Sequence, residues 1–202
     1  IHGLEDGEGA SSRAIWTAAV PRFLELFEKL DIRATFFVVG SSLDSDHGIP
    51  GVEAIHRAGH EVANHSFDHL YDLLHRGPAQ RRDEITRAAD AIEQAIGVRP
   101  RGFRAPGYNI DDELIALLAE LGYVYDSSVF PCPPYYLAKA AALMAIRARG
   151  RTSRSLLGPK EVLLAPREPY VAGESFWRGL TRSKKKTRGR RAIVELPVAV
   201  LP

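Results

Sequence analysis

The stretch GHEVANHSFDH, residues 59–69, anchors the reading of the whole chain. Gly59 stops a helical pattern, His60-Glu-Val-Ala-Asn64 is a short strand candidate, and the polar residues after it leave that strand as a loop. Upstream, residues 50–58 have helical spacing opened by Pro50. Before them, Ala34-Thr-Phe-Phe-Val-Val39 is a β-branched and aromatic run ended by Gly40, the pattern of a buried strand. Val20, Phe23, Leu24, Phe27 and Leu30 recur at helical spacing after Ser11 and Ser12 as candidate caps.

Downstream the same unit repeats. Residues 79–96 form a helical pattern with Ile85, Ala88, Ala89, Ile92 and Ile96 on one face and Gly97 as the stop. Gly102-Phe-Arg104 is a strand end, and Asp111 or Asp112 caps a helix carrying Leu114, Leu117, Leu118 and Leu121. Tyr123-Val-Tyr125 is the next strand, residues 137–148 are alanine-rich and helical, and Val162-Leu-Leu164 and Ile193-Val-Glu-Leu196 read as late strands. Strands alternating with helices imply parallel βα units, hence an α/β barrel or open sheet in a single domain over 1–202. A complete eight-unit barrel needs about 250 residues. A chain of 202 residues is therefore expected to be incomplete at both ends.

Composition narrows the class. Hydrophobic residues are 45% and charged residues 26%, which excludes a disordered chain. The single cysteine, Cys132, excludes an internal disulfide framework and a multi-cysteine metal site. Residues 1–138 carry 12 basic against 21 acidic side chains, a net of −9, while 139–202 carry 15 against 4, a net of +11. All seven histidines fall between His2 and His75. This asymmetry suits a metal or acid/base site built mainly from the first half.

Three strand ends carry candidate chemistry. His65 and His69, four positions apart on a loop, can turn toward one point and hold a divalent metal. Alone, the pair is equally compatible with solvated or core histidines, and catalytic zinc normally takes three protein ligands. Arg104 beside the Pro106-Gly107 turn can hold a carboxylate with two prongs, and freed N–H groups there can stabilise an oxyanion. A structural turn with a surface arginine is the plainer alternative. Asp126-Ser127-Ser128 ends the next strand, where an aspartate is commonly a cap. All three lie at the C-terminal ends of successive strands, where barrel enzymes place their catalytic groups.

With ATFFVVG at 34–40, GHEVANHSFDH at 59–69, GVRPRGFRAPGYN at 97–109, LGYVYDSS at 121–128 and ELPVAVLP at 195–202, the chain resembles the polysaccharide deacetylase family, the NodB homology domain of carbohydrate esterase family 4. The resemblance implies a distorted (β/α)7–8 barrel and metal-dependent removal of N-acetyl, sometimes O-acetyl, groups from a polymeric or lipid-linked sugar. By position, His65 and His69 match the metal-binding histidines and Ser66 the hydroxyl that steadies their loop. Arg104 matches the arginine that orients the base, Gly107 the oxyanion N–H, and Asp126 the fourth-motif aspartate. Tyr108, Ser66 and Phe130 are the expected substrate-side residues. The implied cofactor is Zn²⁺, with Co²⁺, Ni²⁺ or Mn²⁺ as alternatives, and the implied setting is the cell envelope or the cytoplasmic face of a membrane.

Two departures stand out. The family's first motif, two neighbouring aspartates supplying the base and a third metal ligand, has only Glu5-Asp6 as a displaced substitute and is expected upstream of Ile1. The family's late general-acid histidine has no counterpart after His75. The version of the fourth motif with a second acid followed by tryptophan is absent, because Val129 and Phe130 stand there. The competing readings are a metal-free amidohydrolase of small cyclic amides and an inactive carbohydrate-binding relative. Arg182–Arg191 holds seven basic groups and no acid, suiting an anionic surface. No aromatics interleave with those charges, which argues against nucleic acid. Phe130, Tyr135, Tyr136 and Trp177 could line a sugar groove, with core packing as the alternative.

Overall fold

The βα alternation is realised in a computed structural model that describes residues 13–153, 155, 157–158, 160–172 and 192–198. Glu5-Asp6, Ser11, Ser12, Trp177, the basic run 182–191 and the end of ELPVAVLP lie outside the described residues. The chain divides into two compact units, one of residues 1–69 and 83–100, the other of 70–82 and 101–202.

In the first unit a π-helical turn at Ile15–Ala19 leads into α1 (Val20–Lys29). Strand β1 (Thr35–Val38) crosses over through α2 (Gly48–Arg57) to the parallel strand β2 (Glu61–Asn64), with Thr35 opposite Glu61 and Val38 opposite Asn64. Helix α3 (Pro78–Ile96) follows, most of it in this unit. Trp16, Val20, Val38, Leu43, Val52, Ile55, Val62 and Ile92 make the core. Trp16 packs so closely on Gly51 that a Cβ there would sit 2.3 Å from the ring. Of the expected stripe on α1, Val20 is buried and Leu24 and Phe27 are half-buried, whereas Phe23 and Leu30 are exposed. At about 100° per residue the first three share one face, and the other two fall at its edge.

The second unit contains β3 (Gly102–Phe103), α4 (Asp112–Glu120), β4 (Tyr125–Asp126), α5 (Pro133–Ala148), β5 (Tyr170–Ala172) and β6 (Ile193–Glu195). β3 pairs in parallel with β4, β4 in parallel with β6, and β5 runs antiparallel to β6. Asp111 caps α4, its Oδ1 accepting from the Leu114 N–H at 2.7 Å. Phe103, Ile110, Leu114, Leu118, Val129, Val162 and Ile193 are almost wholly buried.

Three expectations need correction, and one strand was not expected. Lys160–Leu164 is a 3₁₀ turn, not a strand. Residues two apart in a strand share a face, but Val162 is buried and Leu164 is 66% exposed. The strand expected at 123–125 is Tyr125–Asp126. Helix α5 starts at Pro133, ahead of the expected 137, because prolines in a first turn forgo N–H groups that have no helical partner anyway. The antiparallel strand Tyr170–Ala172 carries too short a pattern to have been read.

Candidate functional site

The first cluster grows from the end of β2. His65 N–H continues the ladder to the Val38 carbonyl at 2.9 Å, and the chain then turns sharply, with Ser66 at φ 63° and His69 at φ 53°. Left-handed conformations cost a non-glycine residue energy, so the surroundings must compensate. They do so through side chains. Asn64 is fully buried, its Oδ1 accepting from Ser66 N–H and its Nδ2 donating to the Ile85 carbonyl, both at 2.8 Å. Ser66 Oγ accepts from His69 N–H at 3.1 Å. Glu84 on α3, 3% exposed, places Oε2 at 3.2 Å from the Phe67 nitrogen and 3.0 Å from the Asp68 nitrogen, accepting from both. Burial pushes its carboxyl above the usual range, and the N–H contacts pull it back. The loop carbonyls of Ser66 and Phe67 accept from Gly40 and Ser41 N–H at 2.9 and 3.0 Å.

The outcome is that the His65 and His69 rings lie side by side, centroids 4.8 Å apart and planes at 68°, both half-buried. Two adjacent, solvent-reachable imidazoles on a tightly bonded loop fit the nitrogen donors of a divalent cation. Among the described residues no group of three or more His, Cys, Asp or Glu is placed to hold such an ion.

The second cluster lies at the ends of β3, β4 and β6. Arg104 donates from Nε to the Ser127 carbonyl at 2.8 Å and from Nη2 to Ser127 Oγ at 2.7 Å. Ser127 Oγ in turn donates to the Leu196 carbonyl at 2.8 Å. Desolvation draws the Arg104 guanidinium below its usual range, against the attraction of Tyr108, Asp126, Tyr125 and Glu195. Gly107 stands at φ 66° in the turn Pro106–Tyr108, and a Cβ there would lie 3.0 Å from the Tyr71 ring.

Asp126 is fully buried rather than facing solvent. Its Oδ1 accepts from Ser128 Oγ at 2.7 Å and its Oδ2 from Ser128 N–H at 2.9 Å, while Ser128 Oγ accepts from Ala105 N–H at 2.8 Å. Sequence reasoning missed its partner. Glu195, also fully buried, lies beside Asp126 and accepts from Val129 N–H at 3.0 Å, while its Oε2 is buried with no hydrogen-bond partner among the described residues. Burial, then the Asp126 charge, pushes the Glu195 carboxyl up to about 11. Two carboxyl groups in a dry contact cannot both ionise, so the pair holds a proton, and burial raises Asp126 as well as Glu195.

Half-exposed aromatic rings border this cluster. Tyr108 and Phe130 are 5.2 Å apart between centroids, Phe130 and Tyr135 4.8 Å, and Lys139 Nζ sits 5.7 Å from the Tyr135 centroid. Glu84 and Glu195 were the residues not foreseen. Each sat inside an apolar helical or strand pattern, and an acid at an inward position was the signal available.

Residues 5–125 match the sequence model of the polysaccharide deacetylase family. Over 113 residues the chain is 34% identical to a peptidoglycan deacetylase-like protein of Gibberella zeae, covering 54% of this chain and 32% of that protein. Over 140 residues it is 30% identical to the peptidoglycan deacetylase of Helicobacter pylori, covering 67% of this chain and 47% of that one. A Mycobacterium smegmatis structure assigned as a polysaccharide deacetylase superposes with a TM-score of 0.63 at 26% identity, covering 96% of this chain and 50% of the other. The chain thus spans about a third to a half of the length of these two relatives. It belongs to the polysaccharide deacetylase family, and its α/β fold with parallel strands bears out the expected NodB type.

Proposed function

We propose that this chain forms part of a hydrolase that removes N-acetyl groups from an acetylated carbohydrate polymer of the cell envelope, with a divalent cation, Zn²⁺ first, held by His65 and His69. The observation that carries the reading is the adjacency of the two imidazole rings at 4.8 Å on a loop tied by Asn64, Ser66 and Glu84. Bound there, the cation supplies Lewis acidity, polarising a carbonyl and making a water more acidic. The chain's own residues do the positioning. His65 and His69 must be neutral to bind, so affinity falls as they protonate in acid. The Gly107 N–H, on a turn that only a left-handed residue completes, is the donor offered to a developing oxyanion. Arg104 is fixed by Ser127 through its Nε and Nη2, in keeping with an arginine that orients a neighbouring carboxylate, and Asp126 acts from the interior as an anchor for that strand end. Tyr108 and Phe130 offer ring faces for stacking on sugar.

The test is acetate release from an acetylated chitooligosaccharide by the full protein, together with metal content by emission spectroscopy. His65→Ala and His69→Ala are each expected to lose metal and at least about 100-fold of activity. Undiminished turnover in excess chelator overturns the reading. Sugar binding without acetate release assigns the chain to an inactive relative.

A further inference from the structure

We propose that Glu84 is a positioning residue, set in α3 to hold the His65–His69 loop in its cation-ready shape; the proposal rests on the reading that these two histidines hold a metal. The backbone N–H groups of the loop can be followed one by one. His65 donates to the Val38 carbonyl, Ser66 to the Asn64 side chain, and His69 to the Ser66 hydroxyl. Those acceptors belong to the loop, to β2 or to the neighbouring strand β1. The two middle donors, Phe67 and Asp68, both go to Oε2 of Glu84, which comes from a helix 16 and 17 residues further along the chain.

That choice of partner is informative. A carboxylate left 3% exposed normally faces a cation or several donors, because its desolvation is costly. Here it accepts from two backbone N–H groups of the loop between the histidines, and the Asp68 carboxyl lies beside it. The same helix touches the loop again three residues on: the Arg87 guanidinium lies 3.8 Å from the centroid of the Phe67 ring, and its Nη1 is 3.9 Å from Asp68 Oδ2. α3 therefore holds residues 67 and 68 by their backbone through Glu84 and by their side chains through Arg87. The strained positions, Ser66 and His69, stand immediately on either side of that grip. Without it, two donors lose their acceptor, and the turn that sets the rings beside each other has less to hold it against relaxation.

The experiment is Co²⁺ titration of the metal-stripped full chain, followed by visible absorption, in wild type, Glu84→Ala, Glu84→Gln and Ile92→Val. Glu84→Ala is expected to weaken Co²⁺ binding about 10- to 100-fold and alter the absorption band, as loss of an outer-shell partner does. Glu84→Gln, which keeps an acceptor oxygen, is expected to recover most of that affinity. Ile92→Val trims the core of the same unit and is expected to lower thermal stability while leaving Co²⁺ affinity unchanged, which separates positioning from general destabilisation. Where the alanine variant does not fold, Glu84→Asp, which keeps the charge and loses only reach, carries the same test. Wild-type affinity in Glu84→Ala, with normal binding in wild type, overturns the role of Glu84 alone. Absence of Co²⁺ binding in wild type overturns the metal reading, and the purpose assigned to Glu84 with it.

Discussion

Replacing Glu195 with glutamine is expected to flatten the dependence of stability on pH. In the folded chain Glu195 is wholly buried against Asp126 and its carboxyl is pushed up to about 11. In the unfolded chain it is an ordinary glutamate, losing its proton near pH ~4.3. Between those limits the folded state binds one proton more than the unfolded state, so stability falls as pH rises. The contribution is complete below the unfolded value and is lost progressively on the way to the folded one. The ceiling on the slope is about 1.4 kcal/mol per pH unit, or about 4 kcal/mol between about pH 5 and about pH 8. Glutamine sets a neutral amide beside Asp126 where the protonated acid stands, and it can still accept from Val129 N–H. It does not titrate. Urea unfolding of wild type and Glu195→Gln at several pH values in that range measures the difference in slope. The variant is expected to be near wild type in acid and the more stable of the two at the alkaline end. Parallel curves would refute the proton-sharing argument.

Two further substitutions test the turns. Gly107→Ala puts a side chain on a residue at φ 66° and sets its Cβ 3.0 Å from Tyr71, so a loss of about 1–2 kcal/mol is expected, read as a lower melting temperature. An unchanged melting temperature would show that the turn relaxes freely. Asn64→Ala strips the acceptor from Ser66 N–H and the donor from the Ile85 carbonyl, each buried, at a cost of about 1–3 kcal/mol apiece. Its urea midpoint is expected to fall with little change in slope, and an unaltered midpoint would mean that water replaces both contacts.

What could be read from the residues was periodic or chemically singular. The strand–helix alternation through residue 126 is periodic, and the His65–His69 spacing and the Arg104 turn are singular. The structure finds the elements within a few residues of where they were expected and sets the two rings together. The failures have local causes. Val162-Leu-Leu164 has strand composition but turns, because one residue packs and its second neighbour does not. Tyr170–Ala172 is too short to show alternation. Glu84 and Glu195 were hidden for another reason: an inward position hints at burial, but an acid's partners become visible only in the tertiary structure. Phe67 and Asp68 are 16 or 17 residues from Glu84, and Asp126 is 69 residues from Glu195, so no local pattern could join them.

Ser127 receives Arg104 on its hydroxyl and main-chain oxygen and donates its own O–H to the main-chain oxygen of Leu196. The tie between β4 and the residue after β6 thus depends on side-chain chemistry at one end and on a group common to all amino acids at the other. Natural variation is accordingly expected to be lopsided: position 127 tolerates little beyond a small hydroxyl residue, whereas position 196 drifts among residues of similar bulk without disturbing the arginine. A library randomised at both sites would reveal that imbalance as a sharp consensus at one and a broad one at the other.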